Sequence, residues 1–206
     1  MAQLFEIHPD NPQPRLIQRS LEIINAGGLM IYPSDTGYAL ACQMDDKQAL
    51  DRLRRIRLLD EKHDFTLICE HLTQVSHFTK IDNDAFRVIK SLTPGPFTFI
   101  LDATREVPRR LQHPKKKTIG IHIPDHPIIQ ALLAETGQPL FSSSLQLPDL
   151  DMELTDPYLI REHLEHGVDL IIDAGILPSE QTTIIDCTGG QLRIMRQGKG
   201  QAPMLS

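Results

Sequence analysis

Apolar positions recur along this chain with two periods, one near 3.6 residues and one near 2, and the two alternate irregularly. In residues 11–26, Ile17, Leu21 and Ile24 fall at i, i+4 and i+7, which predicts a helix closed by Gly27-Gly28. A second helix follows a cap at Asp45 or Asp46, with Leu50, Leu53 and Ile56 on its inner face and its arginines outside. Residues 84–92, 127–134 and 156–166 read as further helices, the second begun by a proline suited to a first turn. Short apolar runs at 4–7, 29–32, 65–69, 97–101, 119–123, 139–144, 168–172, 182–187 and 192–195 read as strands. The last of these follow one another without helices between them. The expected class is therefore α/β in the broad sense (α+β), with a mixed parallel and antiparallel sheet and flanking helices.

One apolar run ends unusually. Ile31-Tyr32-Pro33 passes directly into Ser34-Asp35-Thr36-Gly37-Tyr38, so a buried strand stops and a polar loop opens at its end, where α/β proteins place small ligands. The hydroxyls of Ser34 and Thr36 donate and accept, Asp35 accepts, and Gly37 allows close backbone approach. The same residues also suit a turn capped by its own side chains.

Composition narrows the class. The 206 residues suit one domain, set at residues 10–200 with terminal segments 1–9 and 201–206. Net charge is −6 with 23% charged residues, which argues against a wholly basic nucleic-acid binder. The cations are nonetheless clustered, at Arg52, Arg54, Arg55 and Arg57, and again from Arg105 through Arg109 and Arg110 to Lys115, Lys116 and Lys117. No apolar run is long enough to cross a bilayer and the first residues lack a secretory pattern, so the cytoplasm is the expected location. Cys42, Cys69 and Cys187 each sit in an apolar run and read as buried thiols. No Cys-x-x-Cys or His-Glu-x-x-His spacing supports a metal site, no Gly-x-Ser-x-Gly elbow surrounds Ser142-Ser143-Ser144, and Gly198-Lys199-Gly200 is not a P-loop.

An ordered set of segments carries a resemblance: 32–40, Arg55-Ile56-Arg57, Pro94-Gly95-Pro96-Phe97-Thr98-Phe99, Ile119-Gly120-Ile121-His122-Ile123-Pro124, Ser142-Ser143-Ser144, Thr182-Thr183-Ile184-Ile185-Asp186 and Arg196-Gln197-Gly198. Together they resemble the YrdC/YciO-like family, relatives of threonylcarbamoyl-AMP synthases of tRNA modification. Arg55-Ile56-Arg57 followed by His63-Asp64-Phe65-Thr66-Leu67 is similar to the YciO branch. The resemblance implies a YrdC/RibB-like twisted sheet around a concave basic cavity. It also implies nucleotidyltransfer from ATP (with Mg²⁺, as substrate) to L-threonine and bicarbonate, and binding of double-stranded RNA or tRNA. It places threonine at Ser34, Asp35, Thr36 and Thr182, and nucleotide phosphate at Arg55, Arg57, Ser144, Gln146, Arg196 and His122, with Arg55 and Arg57 catalytic. RNA would draw on Arg52, Arg54, Arg109, Arg110 and Lys115 to Lys117. The family's synthases have Lys at position 55, Arg at 122 and Asn at 146, so this chain departs at three phosphate-side positions.

Two side chains one residue apart share a surface only off a regular helix or at its end. Arg55 and Arg57 thus converge on a phosphate only there, and otherwise fit a solvated basic helix face. Three functions remain open on sequence: an ATP-dependent synthase, a non-catalytic RNA binder, and a small-ligand sensor that has kept the pocket alone.

Overall fold

The computed structural model describes residues 1–59 and 65–205; His63 and Asp64 of the YciO-like run lie outside them. The chain opens with an edge strand β1 (Gln3–Glu6), then helix α1 (Pro14–Asn25), whose inward residues include Ile17, Leu21 and Ile24 as their spacing predicts. Strand β2 (Met30–Ser34) does not end in an open loop. It turns at residues 34–37 and returns as β3 (Gly37–Gln43), with Pro33 opposite Tyr38 in an antiparallel hairpin. The polar run is thus a hairpin turn, and the strand after it was hidden by the Ser-Asp-Thr-Gly sequence.

Helix α2 (Lys47–Arg57) is capped by Asp46, whose Oδ1 accepts from the Ala49 amide at 2.9 Å. It remains helical through Arg57 and stops at Leu58, which sits in the left-handed region at φ 50°. Strand β4 (Thr66–Ile68) follows, then α3 (Leu72–Phe78), a seven-residue helix too short to declare a period in sequence. Beyond lie β5 (Thr79–Lys80), α4 (Asn83–Leu92), β6 (Phe97–Ala103), β7 (Thr118–His122), α5 (Pro127–Thr136) and β8 (Leu140–Ser144). The chain closes with α6 (Pro157–Leu164), β9 (Leu170–Asp173), β10 (Thr183–Asp186) and β11 (Arg193–Arg196). The charged stretch before β7 is on the surface, yet it is pinned by Val107 and Leu111, which are buried.

The described strands form one sheet in the order β1-β9-β2-β3-β8-β4-β7-β6-β10-β11, with β5 paired to β6. Pairs β1–β9, β2–β9, β4–β7 and β6–β10 are parallel; β2–β3, β3–β8, β4–β8, β6–β7 and β10–β11 are antiparallel. This is the mixed sheet the sequence predicts.

The two faces of the sheet differ. Ile31, Leu40, Leu67, Phe99, Ile121, Phe141, Ile171 and Ile185 point to one face, where α2, α3, α4 and α6 bury them. Met30, Ala41, Ile68, Leu140 and Ile172 point to the other, under α1 and α5. Those two helices cover the β9-β2-β3-β8 half and reach the Ile68 end of β4. On the β4-β7-β6-β10 half, the positions of the second face include Thr66, Thr98, Ile100, Thr118, Gly120, His122 and Ile184, and among the described elements no helix lies over them. This bare half is the floor of the recess described next.

Gly37 ties the hairpin to this arrangement. Its φ is +122°, and a Cβ there would lie 2.5 Å from the carbonyl oxygen of Pro178. Gly37→Ala is expected to lower stability by about 1–3 kcal/mol, from backbone strain plus displacement of the 178–180 segment. The urea midpoint at unchanged m-value measures it.

Candidate functional site

The recess has a narrow inner end and a wide outer end. At the inner end the hairpin turn reaches His122 on β7, although β3, β8 and β4 lie between β2 and β7 in the sheet; the sheet is therefore strongly curled there. His122 Nε2 stands 3.2 Å from Asp35 Oδ1, with side chains 7% and 8% exposed. The contact is close but poorly angled, so this buried nitrogen has no well-formed hydrogen bond. Asp35 is otherwise well held: Oδ1 accepts from the Ser34 hydroxyl at 2.9 Å and Oδ2 from the Asp125 amide at 2.9 Å. Burial alone would raise its carboxyl. The adjacent His122 ring, the Asp125 amide and the Ser34 hydroxyl more than offset burial and hold it at about 2.

Hydroxyls line the rest of this end. Tyr32 Oη and Ser142 Oγ are 2.7 Å apart, and Thr98 and Thr182 share a 2.8 Å hydroxyl–hydroxyl bond. Burial pushes the Tyr32 phenol well above its ordinary value, so it stays neutral. A strap crosses the turn: the Glu180 amide donates to the Thr36 carbonyl at 2.9 Å. Lys199 Nζ donates to the Asp35 carbonyl at 2.7 Å and pairs with Glu180 at 2.7 Å.

The outer recess has a volume of about 800 Å³, within the range of small-molecule sites. Arg57, Lys116 and Arg196 line it, with Ser143, Ser144 and Thr182 shared with the inner end. Gly120 keeps its floor low, since a Cβ there would press on Thr66 Oγ1 at 2.8 Å. Arg57 is 8% exposed; its Nε donates to Ser143 Oγ at 3.1 Å and its Nη1 to the Gln146 carbonyl. Arg196 Nη2 donates to the Thr182 carbonyl at 2.9 Å. All these acceptors are neutral, and among the described residues neither arginine has a carboxylate partner. Desolvation disfavours the charge of both guanidinium groups. Two fixed cations without a paired carboxylate at the end of a sheet make a receptor for an anion, although the Asp186 carboxylate also lines the recess.

The sequence-predicted residues divide accordingly. Ser34, Thr36, His122, Ser144, Gln146 and Thr182 line the inner end, and Asp35 is bound to its wall. Arg57 and Arg196 line the outer end with Ser144, Gln146 and Thr182. Arg55 is not brought in. Because α2 is helical at both positions, Arg55 points outward and its Nε donates to the Asp51 carbonyl at 3.2 Å. Conversely, the expectation that the arginines of α2 lie outside fails at Arg57, which is buried.

The RNA candidates are scattered. Arg52 is tied to Asp169 at 2.7 Å and to the Gly167 carbonyl. Arg54 lies 4.7 Å over the Phe65 ring and donates to the Arg110 carbonyl, and Lys117 donates to the Pro114 carbonyl. Arg109, Lys115 and Lys116 are exposed, Lys116 on the rim of the recess. Sequence reasoning missed Lys199, Glu180, Tyr32, Thr66, Thr98 and Asp186, the last a carboxylate lining the outer end. The polar residues at every second position of Phe97-Thr98-Phe99 and Thr118-Ile119-Gly120-Ile121-His122 were the available signal. Among the described residues no cluster of three or more His, Cys, Asp or Glu could hold a metal, and no helix is long and apolar enough to cross a membrane. The three cysteines are free and buried, their thiols pushed up to about 12 by desolvation.

This fold and site have known relatives. A family model described as "Telomere recombination", for Sua5, YciO and YrdC proteins, matches residues 22–198, so the chain belongs to the Sua5/YciO/YrdC family. It is 50% identical over 200 residues to the YciO protein of Escherichia coli (strain K12), covering 97% of each. The crystal structure of E. coli YciO matches at TM-score 0.95 and 48% identity over the whole of both chains. A threonylcarbamoyl-AMP synthase of Coxiella burnetii (strain RSA 493 / Nine Mile phase I) is 28% identical over 180 residues, 85% of this chain and 95% of that protein. P. abyssi Sua5 complexed with L-threonine matches at TM-score 0.86 and 22% identity, over 96% of this chain and 58% of that one, a likeness of fold.

The Asp35 pairing has a pH signature. Its folded carboxyl lies below the ordinary 3.8, so its stabilisation is present above about pH 4 and is lost as pH falls towards about 2. About 2 kcal/mol of acid sensitivity is expected from this group, and Asp35→Asn should remove that part of the slope. Urea unfolding of both proteins at neutral and acid pH checks it.

Proposed function

We propose that this chain is an ATP-dependent synthase of the threonylcarbamoyl-AMP type, with the triphosphate in the outer recess and L-threonine at the inner end. The observation that carries this reading is the pair Arg57 and Arg196, distant in sequence, facing one recess with only neutral acceptors. Relatives named threonylcarbamoyl-AMP synthase and a Sua5 structure holding L-threonine support the substrate class.

The chemistry needs few acid–base groups. The threonine amine combines with bicarbonate to give a carbamate and water. A carbamate oxygen then attacks the α-phosphorus, and the bond to pyrophosphate breaks. The protein's task is to hold two anions together and to stabilise charge growing on phosphate oxygens. Arg57 and Arg196 supply fixed cations, the Ser143 and Ser144 hydroxyls supply donors at the junction of the two ends, and Lys116 adds charge at the rim. ATP brings Mg²⁺ as its own counter-ion. The turn at Ser34, Asp35 and Thr36 offers acceptors for an ammonium group and a hydroxyl, and the strap through Glu180 closes it from water.

A second reading, retention of double-stranded RNA by its phosphates, draws on Arg109, Lys115 and Lys116, since Lys116 continues the charge of the recess outward. Binding whose logarithm falls linearly with the logarithm of salt, without product from ATP, supports it instead.

Purified protein given ATP, Mg²⁺, L-threonine and labelled bicarbonate should yield threonylcarbamoyl-AMP and pyrophosphate. Arg57→Ala should lower the rate by roughly 10²–10³-fold, whereas Arg55→Ala, on the outer face of α2, should leave it nearly unchanged. Equal losses from the two variants would contradict the placement of the phosphate.

A further inference from the structure

We propose that Lys116 and the Thr118 hydroxyl form a subsite at the outermost end of the recess, and that it takes the terminal phosphates of the triphosphate, the part that departs as pyrophosphate. The inference rests on the synthase reading above and adds to it a site for the leaving group.

The first observation is a buried hydroxyl with nothing to bond. Thr118 opens β7, is 3% exposed and lines the outer recess, and its Oγ1 has no hydrogen-bond partner. An unpaired buried hydroxyl costs free energy, and one that faces a recess is satisfied by an acceptor that enters there. Asp102, opposite Thr118 in register on β6, is exposed and leaves this hydroxyl unbonded.

The second is a turn that selects one lysine out of three. His113 Nδ1 accepts from the Lys115 amide at 3.3 Å and from the Lys116 amide at 3.1 Å. The Lys117 amide donates to the His113 carbonyl at 2.9 Å, and the His113 amide to the Thr118 carbonyl at 2.8 Å, which closes the turn. Lys117 sits in the left-handed region at φ 58°, and its Nζ folds back onto the Pro114 carbonyl at 2.8 Å. Of the three, Lys116 is the one that lines the recess. Among the described residues no carboxylate pairs with it. Arg55 turns outward and position 122 holds a histidine facing Asp35, so the cations lining the outer recess are Arg57, Arg196 and Lys116. Asp186 is the carboxylate at this end; its Oδ1 accepts from the Thr188 amide at 2.9 Å and the Thr188 hydroxyl at 2.7 Å, which draws it towards the turn after β10.

The third is position along the strand. His122, Gly120 and Thr118 occupy alternate positions of β7 on the bare face, about 7 Å apart per step. His122 lines the inner end, and Gly120 is level with Thr66 and Ser142, which line both ends. Thr118 is thus one step beyond the junction. A ligand with its amino acid at the inner end and its α-phosphate at the junction extends its β- and γ-phosphates towards Thr118. When the bond to the α-phosphorus breaks, its electron pair stays on the bridging oxygen and leaves with pyrophosphate. An ammonium and a hydroxyl donor already in place stabilise that growing charge.

Calorimetric titration of the full chain with inorganic pyrophosphate and, separately, with AMP, each with Mg²⁺, tests the subsite. Lys116→Met and Thr118→Val should each weaken pyrophosphate roughly 10-fold, as expected for one hydrogen bond to a charged group, and change AMP by less than about 2-fold. Thr118→Val should do so at an unchanged urea midpoint, because the hydroxyl it removes bonds nothing in the protein. Lys90→Met, the same loss of charge on α4, should leave pyrophosphate binding as it was. AMP weakened as much as pyrophosphate places the nucleoside or the α-phosphate there and overturns the proposal. So does a pyrophosphate affinity indifferent to either substitution, or a Lys90→Met loss equal to that of Lys116→Met. Retention of double-stranded RNA that depends on Lys116, with pyrophosphate binding that does not, assigns this lysine to RNA and also overturns it. Lys116-dependent pyrophosphate binding in protein that makes no threonylcarbamoyl-AMP retains the subsite and discards the synthase. Product formed by protein whose pyrophosphate binding ignores Lys116 retains the synthase and discards the subsite.

Discussion

Everything in this molecule follows from an imbalance in how the sheet is covered. One face is sealed from end to end by α2, α3, α4 and α6, which supply the continuous apolar core. The opposite face is sealed over β9, β2, β3, β8 and the Ile68 end of β4, by α1 and α5. A strand face without a helix over it is open to ligand and solvent, so it need not be uniformly Ile and Leu. Thr66, Thr98, Gly120 and His122 stand there beside Ile100 and Ile184, and curling of the sheet turns this half into a hollow.

The hollow gathers charge in a particular way. Arg57 enters from the last turn of α2 and Arg196 from the edge strand β11, and both are met by carbonyls and hydroxyls. A desolvated guanidinium with neutral partners, as at Arg57, remains short of negative charge, whereas one with a carboxylate beside it is satisfied; Arg196 is exposed and stands at the open side. Arg52, bonded to Asp169, is the satisfied kind and serves as a strut between α2 and the loop before β9. The deep end of the hollow has the opposite character. There a carboxylate is held ionised beside an imidazole under a strap closed by the Lys199–Glu180 pair. The site is thus polarised, with anion-seeking groups outside and an acidic turn with a histidine inside, which matches a ligand pair of nucleotide and amino acid.

Much of this was legible in the sequence. The periods placed α1, α2 and α5 closely, because their inward faces are uninterrupted. The mixed sheet followed from strands lacking helices between them. The hairpin was not legible, because Ser34-Asp35-Thr36-Gly37 reads equally as loop or turn and the returning strand, Gly37–Gln43, has no β-branched residue to mark it. The fate of Arg55 and Arg57 turned on where α2 ends, and element ends are set by local capping; here the helix runs through Arg57, its last residue, and stops at a left-handed Leu58, which carries no sequence mark. The strap was hidden for another reason: Lys199 and Asp35 are 164 positions apart, and a single long-range bond leaves no periodic trace.

The central claim is that the bare half of the sheet is where a triphosphate rests, and the most direct measurement is a titration with Mg²⁺–ATP followed through backbone amide shifts. The account predicts saturable changes concentrated at Gly120, Ser143, Ser144, Thr182 and Arg196, with the outer face of α2 around Arg55 unmoved. Changes centred on Arg55 and Arg109, or none at millimolar nucleotide, would contradict it.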